Sequence, residues 1–479
     1  MLYLKICRLW KGRVIKLISL RNVSFEYAGN AAGRLQNINI NIADGECVLL
    51  CGRSGCGKTT ILRLINGLIP DYFDGELKGE VLYNGKNISE MEMYERAKFA
   101  GSVFQNPRTQ FFNVDTDSEI AFGMENLSLP RDLMLQRMDE ITERLKLKAL
   151  RGRSIFELSG GEKQRIAFAS VYAMHPEVYL LDEPSSNLDA DSIEDLREQL
   201  RVIKAEGKSI LISEHRIYYL MDLVDRIIYL DKGEIQREFT REEFLVLSEE
   251  KRIAMGLRTI HKRQSQVPKC QGSIPSQQGL TFDHVSIKRN KRILQSNITF
   301  SAAKGDIIGI IGENGAGKTT FLRTICGLHK DYEGQILIDG KPAAKKKLIQ
   351  DSYMVMQDVN YELFADSVKN ECRLGIKKAD EQLIDRTLQE LALDQFKERH
   401  PNTLSGGQKQ RVAVAVSQVC GKKLLTFDEP TSGLDYDSMM QVAKLIKKLA
   451  EDAIIMIVTH DVEFLNSVCT QIYELKREK

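Results

Sequence analysis

Residues 49–62 read LLCGRSGCGKTTIL, an apolar run entering a glycine-rich turn and then a helix-like segment. The turn has the form G-x-x-x-x-G-K-[ST], and its setting of strand, loop and helix is what that motif needs to bind phosphate. Glycines free the backbone so that successive N–H groups can point inward at anionic oxygens. The helix that follows adds its positive end. Gly52, Arg53, Ser54, Gly55, Cys56, Gly57, Lys58, Thr59 and Thr60 are therefore expected to form an anion cradle. Lys58 is placed to reach β- and γ-phosphates, and Thr59 to hold Mg2+. For one isolated match, the alternative is a glycine-rich helix start with no ligand.

The match is not isolated. Residues 310–322 read IIGENGAGKTTFL, giving a second cradle from Gly312, Glu313, Asn314, Gly315, Ala316, Gly317, Lys318, Thr319 and Thr320. LSGGEKQR at 158–165 returns as LSGGQKQR at 404–411, and LDEPSSNLD at 181–189 as FDEPTSGLD at 427–435. Lys318 lies 260 positions after Lys58, Ser405 246 after Ser159, Asp428 246 after Asp182, and His460 245 after His215. Similar segments in one order at nearly constant offset mark a duplicated domain. The slack falls between the cradle and LSGG, so the first copy carries extra residues there. The expected layout is an extension over 1–17, a first domain over 18–245, a connection over 246–279 and a second domain over 280–479. Residues 261–279 are rich in Gln, Ser, Pro and Lys, as a linker is. Extended, they reach roughly 60 Å, more than the roughly 35–45 Å width of one such domain.

Each copy also has an apolar run that ends in two acids: 178–181 before Asp182 and Glu183, and 424–427 before Asp428 and Glu429. Delivering two carboxylates from a buried strand is costly unless a cation or a water uses them. The first acid suits Mg2+; the second, Glu183 or Glu429, suits a general base that polarises an attacking water.

With these residues in view, LSGGE at 158–162 and LSGGQ at 404–408 resemble the signature motif of ATP-binding-cassette (ABC) ATPases. The resemblance covers residues 18–240 and 280–475. It implies an α/β fold: two tandem P-loop NTPase domains, each with a parallel-sheet core, an antiparallel β portion and a helical subdomain. It implies ATP and Mg2+ as cofactors. Gln105 and Gln357 match the family's Q-loop and would touch the metal or its water. Asp189 and Asp435 match the D-loop, and His215 and His460 match the switch histidine that contacts the γ-phosphate. In that family the two copies pair, and each ATP lies between the cradle of one and the signature of the other. Lys58 would then share a nucleotide with Ser405, Gly406, Gly407 and Gln408, and Lys318 with Ser159, Gly160, Gly161 and Glu162. Tyr27 matches the aromatic that stacks on adenine. Arg289 stands at its place in the second copy, either stacking on the base or lying exposed at a strand end.

The segments around the glutamines, FQNPRTQFF and MQDVNYELF, together with SEHR at 213–216, are similar to the ATPases of energy-coupling-factor (ECF) transporters. That resemblance implies a peripheral protein on the cytoplasmic face of the cell membrane. Its partners would be a transmembrane coupling subunit and a substrate-binding membrane protein that import a vitamin, a vitamin precursor or a metal ion. Two alternatives are the ATPase of a sugar importer and a ribosome-associated tandem ABC protein. Complete catalytic sets in both copies disfavour the first; a short, Gln- and Ser-rich linker disfavours the second.

Composition agrees with a globular enzyme: 28% charged, 43% hydrophobic, and a formal net charge of +2 that disfavours a general nucleic-acid binder. No apolar run approaches the roughly 20 residues of a membrane helix. Nine scattered cysteines without a C-x-x-C pair read as reduced thiols, not as metal ligands. Cys56, beside Lys58 and a helix start, is expected to be a reactive thiol. The first 17 residues alternate Lys and Arg with Leu, Ile and Trp, either as a lipid-touching helix or as a plain extension. Helical insertions are expected over 115–155 and 365–402, with Leu133, Met134, Met138, Ile141 and Leu145 as a helical stripe. Phe111, Phe112, Leu363 and Phe364 are expected either to grip the membrane partner or to pack in the core.

Overall fold

The computed structural model describes residues 16–28, 30–186, 188–270, 279–289, 292–376 and 378–476. The extension therefore lies outside the described residues up to residue 15, and a strand begins at Lys16. The chain divides into two compact units, Met1–Ile260 and His261–Lys479.

In the first unit, an antiparallel sheet is built in the order Asn30–Ala43, Lys16–Tyr27, Gly75–Tyr83, Lys86–Asn87. A second sheet runs Glu234–Thr240, Arg226–Asp231, Cys47–Gly52, Ser209–Ser213, Val178–Asp182, Ala100–Val103. It is parallel except at the Glu234–Thr240 edge. Its central strands are continuous apolar runs because both faces are covered. Val48 and Leu50 pack with the antiparallel sheet and the helix Lys58–Ile65. Leu49 and Cys51 point the other way, into a core with Phe168, Tyr172 and Ile193. The period of two thus assigns alternate residues of one strand to two cores.

The second unit repeats this plan. Its antiparallel sheet runs Arg292–Ala302, Leu280–Arg289, Tyr332–Ile338, Lys341–Pro342. Its parallel sheet runs Ser352–Val355, Leu424–Asp428, Ile454–Val458, Ile307–Ile311, Gln471–Glu474. In both units the strand carrying the two acids and the strand entering the cradle flank a common neighbour, Ser209–Ser213 or Ile454–Val458, that ends at the switch histidine.

The insertions are helical, with Thr116–Asn126 and Arg131–Arg144 in the first copy and Val368–Arg373 and Glu381–Glu390 in the second. The first copy's longer helices absorb part of its extra residues. Asp115 starts the first helix by accepting from the N–H groups of Asp117 and Ser118. The expected stripe needs one correction: Met138, Ile141 and Leu145 are buried, but Leu133 is 37% exposed and lies off the packed face.

The connection divides between the two units. Residues up to 260 belong to the first unit, with a short helix over Glu249–Ala254. Residues 261–270 run along the second unit, where Gln266 N–H donates to Asn466 and Cys270 N–H to the Ile472 carbonyl. Among the described residues, no helix is long and apolar enough to cross a membrane.

Candidate functional site

In the first unit the strand Cys47–Gly52 delivers the chain into the cradle. At Gly52 φ is 145°, and a Cβ there would stand 2.1 Å from the Leu230 carbonyl oxygen. At Gly57 φ is 104°, and a Cβ would stand 2.4 Å from Leu35 Cδ2. Only glycine fits either position, so peptide groups line the turn. Gly57 then caps the helix Lys58–Ile65, whose first N–H groups open into the loop. Lys58 is buried. Its Nζ donates to the carbonyls of Gly52 at 3.1 Å and Arg53 at 3.2 Å, and lies 3.3 Å from His215 Nε2.

Thr59 Oγ1 donates to Asp182 Oδ1 at 3.0 Å. Burial pushes the Asp182 carboxyl above the ordinary range and the charge of Glu183 adds to the shift, while Thr59 and Lys58 oppose it. A buried acid raised in this way gains from a cation beside it. Hydroxyl and carboxylate oxygens are the donor set that Mg2+ takes. Glu183 follows in the left-handed conformation, φ 44°, with its N–H donating to the Ser213 carbonyl at 2.9 Å. Its carboxylate accepts from Gln105 Nε2 at 2.8 Å, and its Oε1 lies 3.3 Å from His215 Nε2. Lys58, Gln105, Glu183 and His215 thus form one cluster.

The second unit reproduces the backbone part of this arrangement. Lys318 Nζ donates to the carbonyls of Gly312 at 2.8 Å and Glu313 at 3.0 Å. Thr319 Oγ1 donates to Asp428 Oδ2 at 2.7 Å, and burial again pushes that carboxyl up. Glu429 has φ 51°. Its company differs: Oε2 accepts from Thr459 Oγ1 at 3.0 Å and from the His460 N–H at 3.4 Å, and His460 Nε2 lies 3.8 Å from Oε1. Gln357 is exposed.

The signature residues begin helices. Ser159 caps Gly160–Ala173 and Ser405 caps Gly406–Val419, each in a reciprocal capping box with Glu162 or Gln408. Ser159 and Gly160 are exposed, as are Ser405 and Gly406, whereas Gly161 is buried. Asp189 and Asp435 cap the next helices, accepting from Ser192 N–H at 2.8 Å and Ser438 N–H at 2.7 Å.

Several of the expected site residues also have partners within their own unit. Tyr27 is half-buried, its ring edge-on to Phe25 and Phe73, and its hydroxyl bonds to Thr60 at 3.2 Å and Arg63 at 3.1 Å. Thr60 spends its hydroxyl proton on the Gly33 carbonyl, 2.7 Å away. Arg53 reaches out of the cradle to the Ala254 carbonyl. Arg289 is exposed at its strand end. Ala316 is buried in the core of its unit, so it can offer the cradle only backbone. Cys56 is a correction: it is 3% exposed and packs with Val48, Leu50 and Ile61, so burial hides the thiol that its neighbours would activate.

Beside the Q-loop, Phe112 is 76% and Phe364 73% exposed, at equivalent places in the repeat. Phe111 is half-buried against the core and Leu363 is 6% exposed, so these two belong to packing. A cleft of about 280 Å3 in the first unit is lined by Leu68, Met93, Phe104, Phe112, Phe122 and Met174. One of about 350 Å3 in the second includes Leu328, Ile349 and Tyr353.

Sequence reasoning uses Glu214 and Arg216 only within the SEHR resemblance and gives them, like Thr459 and Asp461 in the other copy, no role of their own. The signal was present: aligning the two copies on histidine shows a Glu/Thr and an Arg/Asp exchange.

A family profile described as ABC transporter matches residues 35–186 and 295–432. A Treponema denticola chain, provisionally described as an ABC transporter ATP-binding protein, is 50% identical over 469 residues, covering 97% of this chain and 96% of the relative. The Bacillus subtilis protein YkoD, provisionally described as an HMP/thiamine import ATP-binding protein, is 30% identical over 491 residues, covering 96% and 90%. Among solved structures, the archaeal ribosome recycling factor aABCE1 in complex with the stalk protein aP1 is similar with a TM-score of 0.62 at 20% identity. It covers 95% of this chain and 87% of that one, a likeness of fold alone. With the phosphate cradle and acid pair present twice, and profile and relatives agreeing along the length of the chain, this protein belongs to the ABC transporter family as an ATP-binding ATPase with two ABC domains.

Proposed function

We propose that this ATPase energises an ECF-type membrane importer of a vitamin, a vitamin precursor or a metal ion. The observation that carries this reading is the Q-loop segment. FQNPRTQFF and MQDVNYELF each end in a highly exposed phenylalanine, Phe112 or Phe364, and Phe112 lines an apolar cleft. Isolated exposed aromatics are ordinary, but one repeated at the equivalent place in both copies fits a surface that a partner covers. The Bacillus relative, provisionally an import ATPase for HMP or thiamine, agrees with that reading.

Within each copy, the peptide groups of the cradle and Lys58 or Lys318 bind the polyphosphate. Thr59, Asp182 and Gln105, or Thr319, Asp428 and Gln357, would hold Mg2+, which when bound neutralises charge on the transferring phosphoryl group. Glu183 and Glu429 orient and deprotonate the attacking water, and His215 and His460 contact the γ-phosphate.

The test is purification of the full chain from membranes with identification of what accompanies it. A transmembrane coupling subunit plus a small substrate-binding membrane protein is expected. Recovery with ribosomes, or with the permease subunits of a sugar importer, would overturn the assignment.

A further inference from the structure

Glu214 is fully buried, yet nothing in phosphate binding or hydrolysis calls for it. Its carboxylate collects four donors. Oε1 accepts from the N–H groups of His215 at 2.8 Å and Arg216 at 3.1 Å. Oε2 accepts from the Ser185 N–H at 3.3 Å and the Tyr219 hydroxyl at 3.0 Å. Two of these donors lie on the switch loop, and Ser185 lies two residues beyond Glu183. The side chain therefore ties the loop that carries the histidine to the loop that carries the base. Three backbone N–H groups and a phenol satisfy the buried carboxylate, which is what makes its burial tolerable.

The second copy makes the same tie with another residue. There Asp461, just after His460, accepts from Thr431 Oγ1 at 3.1 Å, and Thr431 is the repeat equivalent of Ser185. Asp461 also accepts from the Phe464 N–H at 3.1 Å, and its own N–H donates to Thr459 Oγ1 at 3.1 Å. Thr459, which stands where the first copy has Glu214, passes its one proton to Glu429. In the first copy Asp461 is replaced by Arg216, which donates to the Leu188 carbonyl at 3.1 Å, next to Asp189. A carboxylate at 214 cannot donate to Glu183 as Thr459 does to Glu429, and Gln105 and His215 occupy the Glu183 carboxylate instead.

We propose that Glu214 is a positioning residue of the first copy: it performs from before His215 the loop-to-loop brace that Asp461 performs from after His460, and Arg216 extends that brace toward Asp189. The brace keeps the His215 ring and the Glu183 carboxylate in register, 3.3 Å apart. This inference rests on the proposed roles of Glu183 and His215.

The experiment uses the full chain with MgATP. It reads steady-state kcat and KM, and vanadate-trapped ADP counted separately in each copy after cleavage between residues 261 and 279. Glu214→Ala is expected to lower kcat and trapping in the first copy about tenfold, with KM within about twofold, because misplaced groups cost rate more than binding. Glu214→Gln keeps the Oε1 acceptor but turns an N–H2 group toward Ser185 and Tyr219, and is expected to lose about threefold. The double change Glu214→Thr with Arg216→Asp, which installs the second copy's pattern, is expected to return kcat to within about threefold of the parent. If Glu214→Ala does not fold, the Gln variant and the double variant carry the test. Unchanged kcat in Glu214→Gln, or a folded double variant no better than Glu214→Ala, would overturn the proposal. So would loss of melting temperature and ATP binding with kcat per bound nucleotide intact. Glu183→Gln, measured alongside, separates the two readings: if it leaves trapping in the first copy intact, the role assigned to Glu183 fails and not merely the brace.

Discussion

In the first copy Glu183 shares its carboxylate with Gln105 and His215, whereas in the second Glu429 is held by the Thr459 hydroxyl and the His460 N–H while Gln357 is exposed. The cradles and acid strands, by contrast, are nearly interchangeable: lysine to two loop carbonyls, threonine to aspartate, glutamate in a left-handed turn. The conserved part is imposed by backbone, through glycines that nothing else can replace and through strand register. The divergent part rests on single side chains of loops, where one exchange redirects several hydrogen bonds. Nucleotide binding should therefore be alike in the two copies and the hydrolytic step less so.

The largest effect that would break this comparison comes from the signature. If each P-loop draws on the other copy's signature, Ser405→Arg lowers nucleotide trapped at the Lys58 cradle about 100-fold by removing a positioned donor from the phosphates. Trapping measured in each copy separately checks it, and impairment at Lys318 alone would mean that each copy works by itself. A smaller effect is expected at the partner surface. Phe112→Ala and Phe364→Ala together should weaken membrane-subunit recovery about tenfold by loss of two exposed anchors, with ATP affinity unchanged. Equal recovery in a quantitative pull-down would place the partner elsewhere.

The Q-loop braces differ in a way that pH can read. In the first copy Gln110 accepts from the Phe104 N–H at 3.3 Å and donates to the Ser102 carbonyl at 3.2 Å. In the second Glu362 accepts from the Met356 N–H, but its Oε2 is buried without a hydrogen-bond partner. Burial, with the backbone hydrogen bond opposing, pushes this carboxyl up to about 8 from 4.5. An acid raised on folding contributes stability at low pH that is lost as pH climbs between the unfolded and folded values. Glu362→Gln should thus melt close to the parent near pH 4.5 and be about 1–3 kcal/mol more stable above pH 8, the cost of one unpaired buried polar atom. A constant difference across that range in calorimetry would contradict the assignment. The smallest effect concerns Cys56, which should react with maleimide more slowly than half-buried Cys270 whether or not MgATP is present. Mass spectrometry of labelled peptides decides, and fast labelling that nucleotide blocks would restore the accessible thiol.

Much of the fold and the binding half of the site was legible in the sequence, because both are written in patterns that backbone geometry enforces. Gly52 and Gly57 admit no side chain, and the runs at 178–181 and 424–427 can only be buried strands that deliver their acids together. What was not legible depends on which way a side chain turns. Cys56 follows the exposed Ser54 and Gly55 yet points inward, Phe112 and Phe111 diverge by one position, and Leu133 falls just off a helical stripe that Met134 continues. The brace at Glu214 required the second copy's Asp461 for comparison, since a buried glutamate beside histidine has no meaning until its donors are seen.

The central claim is that both copies hydrolyse ATP with a glutamate as base. It is tested most directly by ATP turnover of the full chain with Glu183→Gln and, separately, Glu429→Gln, changes that keep size and delete the base. Loss of a general base costs roughly 10²–10⁴-fold at the affected site, and if the two copies close on ATP in one concerted step, each single variant should lose most of the total turnover. Parental turnover in either variant would contradict the account, for that copy would then bind nucleotide without hydrolysing it.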